Sequence, residues 1–286
     1  MASESTVISS TRIGKAEFRW GERTYIMGIC NLSPDSFSGD GLGSDVEATL
    51  AQAQRMVAEG ADIIDVGGES TRPGTEPVSI DDIDDELRLV IPAIERLAAE
   101  IKVPISVDTY KYGVAIRALN AGAVMINDIW ALRRDQRLAP LAAERSVPII
   151  MMSNQRDAPV DDIMPAIIAD LRRAIQQATE AGVPEHNIIV DPGIGFGKSL
   201  EQNLEIVRRL GELKALGRPV LMGSSRKSMI GLVLDLPADQ RLEGTAATVA
   251  IGIASGADIV RVHDVKQMVR VCRMSDAIIR RRTPRD

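Results

Sequence analysis

In the stretch Pro219-Val220-Leu221-Met222-Gly223-Ser224-Ser225-Arg226-Lys227-Ser228, an apolar run typical of a buried strand leads directly into two adjacent cations. Hydroxyl-bearing and small residues flank these cations, and that composition suits a concave site for an anion. A second apolar run with cationic residues at its end follows in Ile259-Val260-Arg261-Val262-His263. Two such strand ends in succession, late in a chain that alternates strand and helix patterns, indicate a phosphate site at the mouth of a barrel.

Short apolar or β-branched runs recur along the whole chain, and each is followed by a longer amphipathic stretch. Strict alternation of this kind predicts an α/β fold with parallel strands and the helices outside them. Eight such units in 286 residues favour a single closed (β/α)8 barrel, a TIM barrel, over an open doubly wound sheet. The predicted strands are Tyr25–Cys30, Asp62–Val66, Pro104–Val107, Val124–Ile126, Val147–Met152, Asn187–Val190, Pro219–Met222 and Ala257–Val262.

An open dinucleotide-binding sheet is the main alternative, and it requires a glycine fingerprint directly after its first strand. No such fingerprint follows Tyr25–Cys30. The nearest imitation, Gly193-Ile194-Gly195-Phe196-Gly197, comes after the sixth predicted strand and lacks the spacing. The barrel therefore remains the favoured fold.

The segment ahead of the barrel has the pattern of a β-hairpin. Arg12–Arg19 and Thr24–Cys30 flank the turn candidate Trp20-Gly21-Glu22-Arg23, which predicts an N-terminal hairpin that closes the barrel bottom. The first helical pattern, Asp45–Glu59, begins with a capping-box signature in which Ser44 is the N-cap and Glu47 follows three residues later. We expect residues 1–11 to be disordered or extended, 12–280 to form the barrel, and 281–286 to be a basic tail.

The overall composition is that of a soluble globular protein, with 45% hydrophobic and 26% charged residues. A formal net charge of −6 argues against a nucleic-acid partner, because proteins that bind the phosphate backbone carry basic faces. We find no secretory leader and no apolar run of the roughly 20 residues that span a membrane. With only Cys30 and Cys272 as cysteines, a disulfide framework is not expected, and the cytoplasm is the predicted location.

Polar residues follow most of the predicted strands, and in a (β/α) barrel such residues face the active site. A single aspartate at a strand end is often only the N-cap of the next helix, and Asn127-Asp128 could be an Asx turn. The joint pattern is more specific, because acids and amides follow the middle strands whereas cations follow the last two. A ligand with a polar heterocycle at one end and a phosphate at the other fits this division. The residues concerned are Asp108, Asn127, Asp191, Lys227, Arg261 and His263.

Seven sequence motifs together resemble one enzyme family over nearly the whole chain, from about Thr24 to Ile279. The motifs are Met27-Gly28-Ile29-Cys30-Asn31-Leu32-Ser33-Pro34-Asp35-Ser36-Phe37-Ser38, Asp65-Val66-Gly67-Gly68-Glu69-Ser70-Thr71-Arg72-Pro73-Gly74, Ser106-Val107-Asp108-Thr109, Ile126-Asn127-Asp128, Asp191-Pro192-Gly193-Ile194-Gly195-Phe196-Gly197-Lys198, Ser225-Arg226-Lys227-Ser228 and Arg261-Val262-His263. The family they resemble is dihydropteroate synthase, a transferase of folate biosynthesis. It joins (7,8-dihydropterin-6-yl)methyl diphosphate to 4-aminobenzoate and releases diphosphate.

The resemblance implies roles that agree with the strand-end pattern. The pterin ring would be held by Asp108, Asn127, Asp191 and Lys227. The diphosphate would be bound by Arg261, His263 and the Asn31 loop, with Asn31 helping to bind Mg2+. The 4-aminobenzoate site would be completed by Phe37, Thr71, Arg72 and Pro73 on two mobile loops. Ser228 would receive the aminobenzoate carboxylate, because a helix N-terminus presents N–H groups to an anion.

Further roles follow from the same resemblance. Asp35 would be the loop carboxylate that assists the amine or the developing cation, and it joins Lys227, Arg261 and His263 as the expected catalytic residues. Phe196, Gly223 and Val262 would line the substrate site. Family members commonly form homodimers, so a homodimer is expected here. Diphosphate departure can run ahead of amine attack, so the amine needs positioning rather than an enzyme nucleophile.

The chain also departs from the family pattern, and two other functions are alternatives. Many members carry Met-His after the fifth strand, whereas this chain has Met152-Ser153. A pterin-dependent methyltransferase domain would use a related barrel, but the Ser225–Ser228 loop and the Thr71–Gly74 loop argue against it. A paralogue that binds pterin without condensing it is the non-enzymatic alternative.

Overall fold

The computed structural model describes residues 8–33, 45–69, 78–157 and 160–281. The strands in this part of the chain are β1 Ser10–Ile13, β2 Ala16–Arg19, β3 Tyr25–Asn31, β4 Ile63–Gly67, β5 Ile105–Asp108, β6 Met125–Asp128, β7 Ile149–Met152, β8 Ile188–Asp191, β9 Leu221–Met222 and β10 Ile259–Val262. The α-helices are α1 Val46–Glu59, α2 Asp84–Glu100, α3 Tyr112–Ala121, α4 Leu138–Arg145, α5 Ile163–Glu180, α6 Leu200–Arg209, α7 Ser228–Leu234, α8 Leu242–Ala254 and α9 Val265–Ile279.

The eight strands β3 to β10 form one parallel sheet in the order β8-β7-β6-β5-β4-β3-β10-β9. A parallel bridge between Val190 of β8 and Val220, which precedes β9, joins the two ends of this sheet. The Val190 N–H donates to the Pro219 carbonyl at 3.0 Å across this junction. The predicted (β/α)8 barrel is therefore confirmed, and all eight predicted strands are present.

Successive side chains of each barrel strand point alternately into the barrel and out toward the helices. On β10, Ile259 belongs to the apolar cluster inside the barrel, whereas Val260 and Val262 pack in the larger cluster between strands and helices. Arg261 therefore shares the inward direction of Ile259 and lies two residues closer to the carboxyl end of the strand. This alternation places the Arg261 side chain at the barrel mouth.

The N-terminal hairpin closes the barrel bottom as expected, but its strands differ from the prediction. The antiparallel pair is β1 with β2, in the register Ser10↔Arg19, and Thr24–Cys30 lies in the barrel instead of the hairpin. The turn falls at Gly14, whose φ of +59° favours glycine. Ile13 and Phe18 are 0% and 2% exposed, and both pack in the cluster inside the barrel. Burial of these two side chains decides the pairing.

The N-terminus of α1 also differs by one residue from the prediction. Asp45 is the N-cap, and its side chain accepts a hydrogen bond from the Ala48 N–H at 2.9 Å. Ser44 lies outside the described residues. The capping-box signature therefore located the start of the helix but assigned the wrong cap.

No helix in the described part of the chain combines the length and apolar character needed to cross a bilayer.

We expect Asp45→Ala to lower the free energy of unfolding by about 1 kcal/mol, because one helix donor then loses its cap. Ser44→Ala is the matched control and should have a smaller effect. Urea denaturation of both variants measures the difference. A larger loss for Ser44→Ala would restore the predicted capping box.

Candidate active site

The central feature of the barrel mouth is a cluster of three charged residues and one amide, each from a different strand. The Arg261 guanidinium donates from Nε to Asp65 Oδ2 at 2.6 Å and from Nη2 to Asp108 Oδ2 at 2.7 Å. The Asn127 amide donates to the same Asp65 oxygen at 3.1 Å. Three of the predicted site residues, Asp108, Asn127 and Arg261, thus meet in one hydrogen-bonded network around Asp65.

Asp65 is the first residue of one of the quoted motifs, but it is absent from the predicted site residues. Its side chain is fully buried in the middle of β4, whose other side chains are apolar. A charged residue in such a strand is a usable signal, because buried carboxylates require a partner. Its second oxygen, Oδ1, has no hydrogen-bond donor in the described part of the chain. That leaves one acceptor for water or a ligand.

The electrostatics of this cluster are set by burial and by an excess of carboxylate over guanidinium. Burial raises the pKa of Asp108 to about 7, against the attraction of Arg261 and with the repulsion of Asp65. Burial of the Arg261 guanidinium would lower its pKa, but Asp65 and Asp108 outweigh that effect and raise it. The arginine therefore stays charged, while the Asp108 carboxyl can exchange a proton near neutral pH.

A second group lies beside β8 and the loop after it. The Lys227 ammonium donates to the Ile194 carbonyl and lies 4.5 Å from the centroid of the Phe196 ring. Burial lowers the pKa of Lys227 to about 8, against the attraction of Asp191. Burial likewise raises the pKa of Asp191, whose Oδ1 accepts from the Gly193 N–H at 2.7 Å. Asp191, Phe196 and Lys227 thus adjoin one another at the mouth.

A purely local role explains Asp128, whereas the role of helix N-cap does not apply to Asp108. Asp128 accepts from the N–H groups of Trp130 at 2.8 Å and Leu132 at 2.7 Å, so it organises its own loop. Asp108 makes no helix cap, because the N-cap position of α3 is Lys111. The Asp108 side chain is committed to Arg261 instead.

The loops after β9 and β10 are joined by two side-chain links. Ser225 Oγ lies 2.9 Å from His263 Nδ1. Arg226 donates to both Asp264 oxygens, at 2.9 and 2.5 Å. Arg226 thus connects the two loops from behind, whereas His263 is half-buried at the mouth. These links hold the last two strand ends in a fixed relation.

The remaining predicted residues are placed as follows. A Cβ at Gly223 would lie 3.8 Å from the Arg261 Cβ, so this glycine borders the arginine. Val262 packs in the core between strands and helices, so its side chain points away from the mouth and only its backbone could contact a ligand there. Ser228 is the first residue of α7 and lines a cavity of about 530 Å³ beside that helix. Asn31 ends β3 and is half-buried. Five predicted residues lie outside the described chain: Asp35, Phe37, Thr71, Arg72 and Pro73.

Two lysines in the loops after β8 and β5, Lys198 and Lys111, make several polar contacts and were not among the predicted site residues. Lys198 donates to the carbonyls of Ser153, Gly193 and Phe196 at 2.9, 2.8 and 3.2 Å. It thereby fixes the loop that carries Phe196. Lys111 lies 2.8 Å from Glu69 and 3.1 Å from Glu86, and it is almost fully buried.

Ser153, at the position where the family resemblance leads one to expect histidine, makes side-chain contacts of its own. Its hydroxyl donates to Asp170 at 2.9 Å and accepts from the Gln155 amide at 3.0 Å. Both of its hydrogen-bonding capacities are therefore used inside the protein. The substitution leaves no stranded polar group at Ser153 itself.

The model of the family described as "Pterin binding enzyme" matches residues 27–263. Dihydropteroate synthase from Clostridium beijerinckii is 50% identical over 94% of this chain and 100% of its own length. The structure of dihydropteroate synthase from Clostridium difficile in the presence of pteroic acid is similar, with a TM-score of 0.86 and 50% identity, over 92% of this chain and 99% of that one. The Xanthomonas albilineans dihydropteroate synthase structure with 4-aminobenzoic acid has a TM-score of 0.87 at 40% identity, over 94% and 98% of the two chains. The chain therefore belongs to the pterin-binding enzymes and, among them, to the dihydropteroate synthases, which are transferases of folate biosynthesis.

Proposed function

We propose that this chain joins (7,8-dihydropterin-6-yl)methyl diphosphate to 4-aminobenzoate at the barrel mouth. The bond between the exocyclic methylene carbon and the diphosphate oxygen breaks, and its electron pair leaves with the diphosphate. The amine nitrogen forms the new C–N bond and gives up one proton. The observation that carries this proposal is the cluster in which Arg261 bridges Asp65 and Asp108 beside Asn127.

The middle strands provide the acceptors that a pterin requires. Asp108, Asn127 and Asp191 would pair with the N–H donors and ring acceptors at the edge of the heterocycle. Asp191 and Asn127 are 6% and 4% exposed, so such hydrogen bonds would form away from competing water. For Lys227 to lie along the pterin, its ammonium would exchange the Ile194 carbonyl for the ligand.

The last two strands provide the cations for the diphosphate. Arg261 uses two of its N–H donors on Asp65 and Asp108. Its remaining donors make no hydrogen bond to the described residues, so they are available to phosphate oxygens. Because the two carboxylates fix the guanidinium in advance, it needs little reorganisation when negative charge builds on the leaving group. His263 would donate to the same group.

The proposal includes Mg2+ bound together with the diphosphate. Mg2+ usually keeps several waters and takes only one or two protein oxygens plus substrate phosphates. The Asn31 side chain, half-buried at the end of β3, offers an oxygen of this kind. The described residues contain no cluster of three metal-binding side chains that would hold the ion alone. When bound, the ion would neutralise charge on the leaving diphosphate.

The second substrate would approach from the side of α7. Ser228, at the first position of that helix, would receive the 4-aminobenzoate carboxylate. The loop residues Phe37, Thr71, Arg72 and Pro73 would complete this site, with Asp35 as the carboxylate that assists the amine. Gly223 leaves room beside Arg261, and Phe196 packs against Lys227. The chemistry then depends on holding the amine close to the methylene carbon.

We further propose a cytoplasmic homodimer. Several large apolar side chains on α7, α8 and α9 are exposed: Leu232 67%, Ile251 50%, Met274 63% and Ile278 63%. Exposed apolar groups on adjacent helices suit an interface with a second copy. The solution mass measured by light scattering tests the homodimer, and a monomer at micromolar concentration would exclude it.

The proposed cytoplasmic location is supported by the two cysteines of the chain, which are both free and buried, as suits a reducing compartment.

The experiment that tests the reaction is a coupled assay of diphosphate release. We expect release only when both substrates and Mg2+ are present, with dihydropteroate formed in equal amount. Omitting 4-aminobenzoate should abolish product while leaving pterin binding intact. Pterin binding by folded protein without any diphosphate release would instead identify a binding paralogue.

A further inference from the structure

The link between Ser225 and His263 contains two hydrogen-bonding contacts to one hydroxyl. The backbone N–H of His263 donates to Ser225 Oγ at 3.2 Å, and the same Oγ lies 2.9 Å from His263 Nδ1. Ser225 is 4% exposed, so its hydroxyl is shielded from water. One oxygen thus holds both the backbone and the ring of the histidine.

The direction of the second contact follows from counting donors and acceptors. A serine hydroxyl has one hydrogen to donate and can accept elsewhere. The backbone N–H can only donate, so Ser225 Oγ accepts there. Within the described chain, the hydroxyl hydrogen has no acceptor other than His263 Nδ1. A buried hydroxyl that donated to nothing would be costly. The hydroxyl therefore donates to Nδ1.

We propose that Ser225 is a positioning residue that fixes the tautomer of His263. Because Nδ1 accepts from Ser225, the neutral ring carries its proton on Nε2. The role of that Nε2–H rests on the proposed function, in which it donates to the departing diphosphate. The opposite tautomer would present a lone pair to the phosphate oxygens and repel them.

The surroundings of Ser225 maintain this geometry. The hydroxyl of the neighbouring Ser224 lies 2.9 Å from Thr248 Oγ1 on α8, so it contacts a helix and not the histidine. Arg226 ties the same loop to Asp264, next to His263. The Ser225 hydroxyl and the imidazole are therefore held together by Ser224 and Arg226 on one loop and by Asp264 on the other.

The tautomer can be measured directly, because the chain contains only two histidines. Histidine with labelled ring nitrogens is incorporated, and the signals are assigned with His186→Gln, which removes the exposed histidine. At a pH high enough to keep imidazole neutral, we expect His263 to show a protonated Nε2 and an unprotonated Nδ1. A protonated Nδ1 would overturn the proposal, whatever the activity of the enzyme.

Ser225→Ala tests the consequence for the reaction. We expect a mixture of His263 tautomers and a kcat lowered about 10-fold, the lower end of the loss seen when the partner that orients a metal-binding histidine is removed. The KM for 4-aminobenzoate should change little, and Ser225→Thr should restore both the tautomer and most of kcat. Ser224→Ala removes the adjacent buried hydroxyl and should leave the tautomer unchanged.

Besides a protonated Nδ1 in the unmodified protein, an unchanged His263 tautomer in Ser225→Ala would overturn the proposal. An equal loss of kcat in Ser224→Ala would show that the loss does not come from the tautomer. Thermal unfolding of each variant checks that it is folded. Absence of turnover by the unmodified protein would contradict the proposed function instead, and the nitrogen spectra would still decide the tautomer.

Discussion

Arg261→Ala is expected to lower kcat/KM for the pterin diphosphate by at least about 100-fold, the loss typical when a donor to developing negative charge is removed. The guanidinium is held in place by Asp65 at 2.6 Å and Asp108 at 2.7 Å, so the substitution removes donors that are already positioned. Steady-state kinetics of diphosphate release measure the effect.

Arg261→Ala should also lower the stability of the protein, and this effect must be distinguished from the kinetic one. Removing one partner of a buried charge pair costs about 3–5 kcal/mol, because the remaining carboxylates lose their counter-ion. Asp65, fully buried, carries most of that penalty. Asp65→Asn in the Arg261→Ala background removes the stranded charge, so stability should recover while activity stays low. Recovery of activity along with stability would show that Arg261 is only a structural counter-ion.

Arg261→Lys and Arg88→Ala complete the comparison. A lysine keeps the charge but cannot span Asp65 and Asp108 with a planar fork. The activity of Arg261→Lys should therefore lie between that of the unmodified protein and that of Arg261→Ala. Arg88 pairs on the surface with an Asp85 that is 93% exposed, and its loss should leave kinetics unchanged. Equal activity of the lysine and alanine variants would mean that charge alone contributes nothing.

The barrel could be predicted from the sequence because its signals are local and repeated. Each strand is a short apolar run, and the mouth residues lie near the carboxyl ends of such runs or in the loops that follow them. The hairpin was less predictable, because Gly14 and Gly21 both adopt positive φ and both mark possible turns. Only the packing of Ile13 and Phe18 inside the barrel selects between them, and that packing depends on residues far along the chain.

Residues that meet at the mouth, such as Asp108, Asn127 and Arg261, could be named from the sequence, but their connections could not. Asp65 and Arg261 are 196 residues apart, and no local sequence pattern predicts that their side chains meet. Lys198 and Lys111 were missed for the same reason, since a lysine in a loop usually lies in solvent. A polar residue within an apolar strand, such as Asp65, was the one signal present. The family resemblance implies which residues bind the ligands, but not which residues hold those side chains in place.

The second large effect is expected at Asp108. Asp108→Ala should weaken binding of a pterin without its diphosphate by about 10- to 100-fold, since a hydrogen bond to a charged group contributes about 1.5–3 kcal/mol. The carboxylate lies beside Arg261 and next in sheet register to Asn127, so bound ring donors would lose an acceptor held in place. Isothermal titration measures the affinity, and a change below about twofold would contradict the assignment.

The pH dependence of that binding provides an independent test of Asp108. Its pKa of about 7 lies above its ordinary value, so the carboxyl becomes protonated as the pH falls through neutrality. A protonated carboxyl accepts ring donors less well, so pterin affinity of the unmodified protein should fall between about pH 8 and pH 6. Asp108→Asn has no proton to gain and should bind weakly with a flatter profile. Asp191 also has a raised pKa, so Asp191→Asn is the matched control. If the slope survives in Asp108→Asn and disappears in Asp191→Asn, the titrating pterin ligand is Asp191 and the role given to Asp108 is wrong.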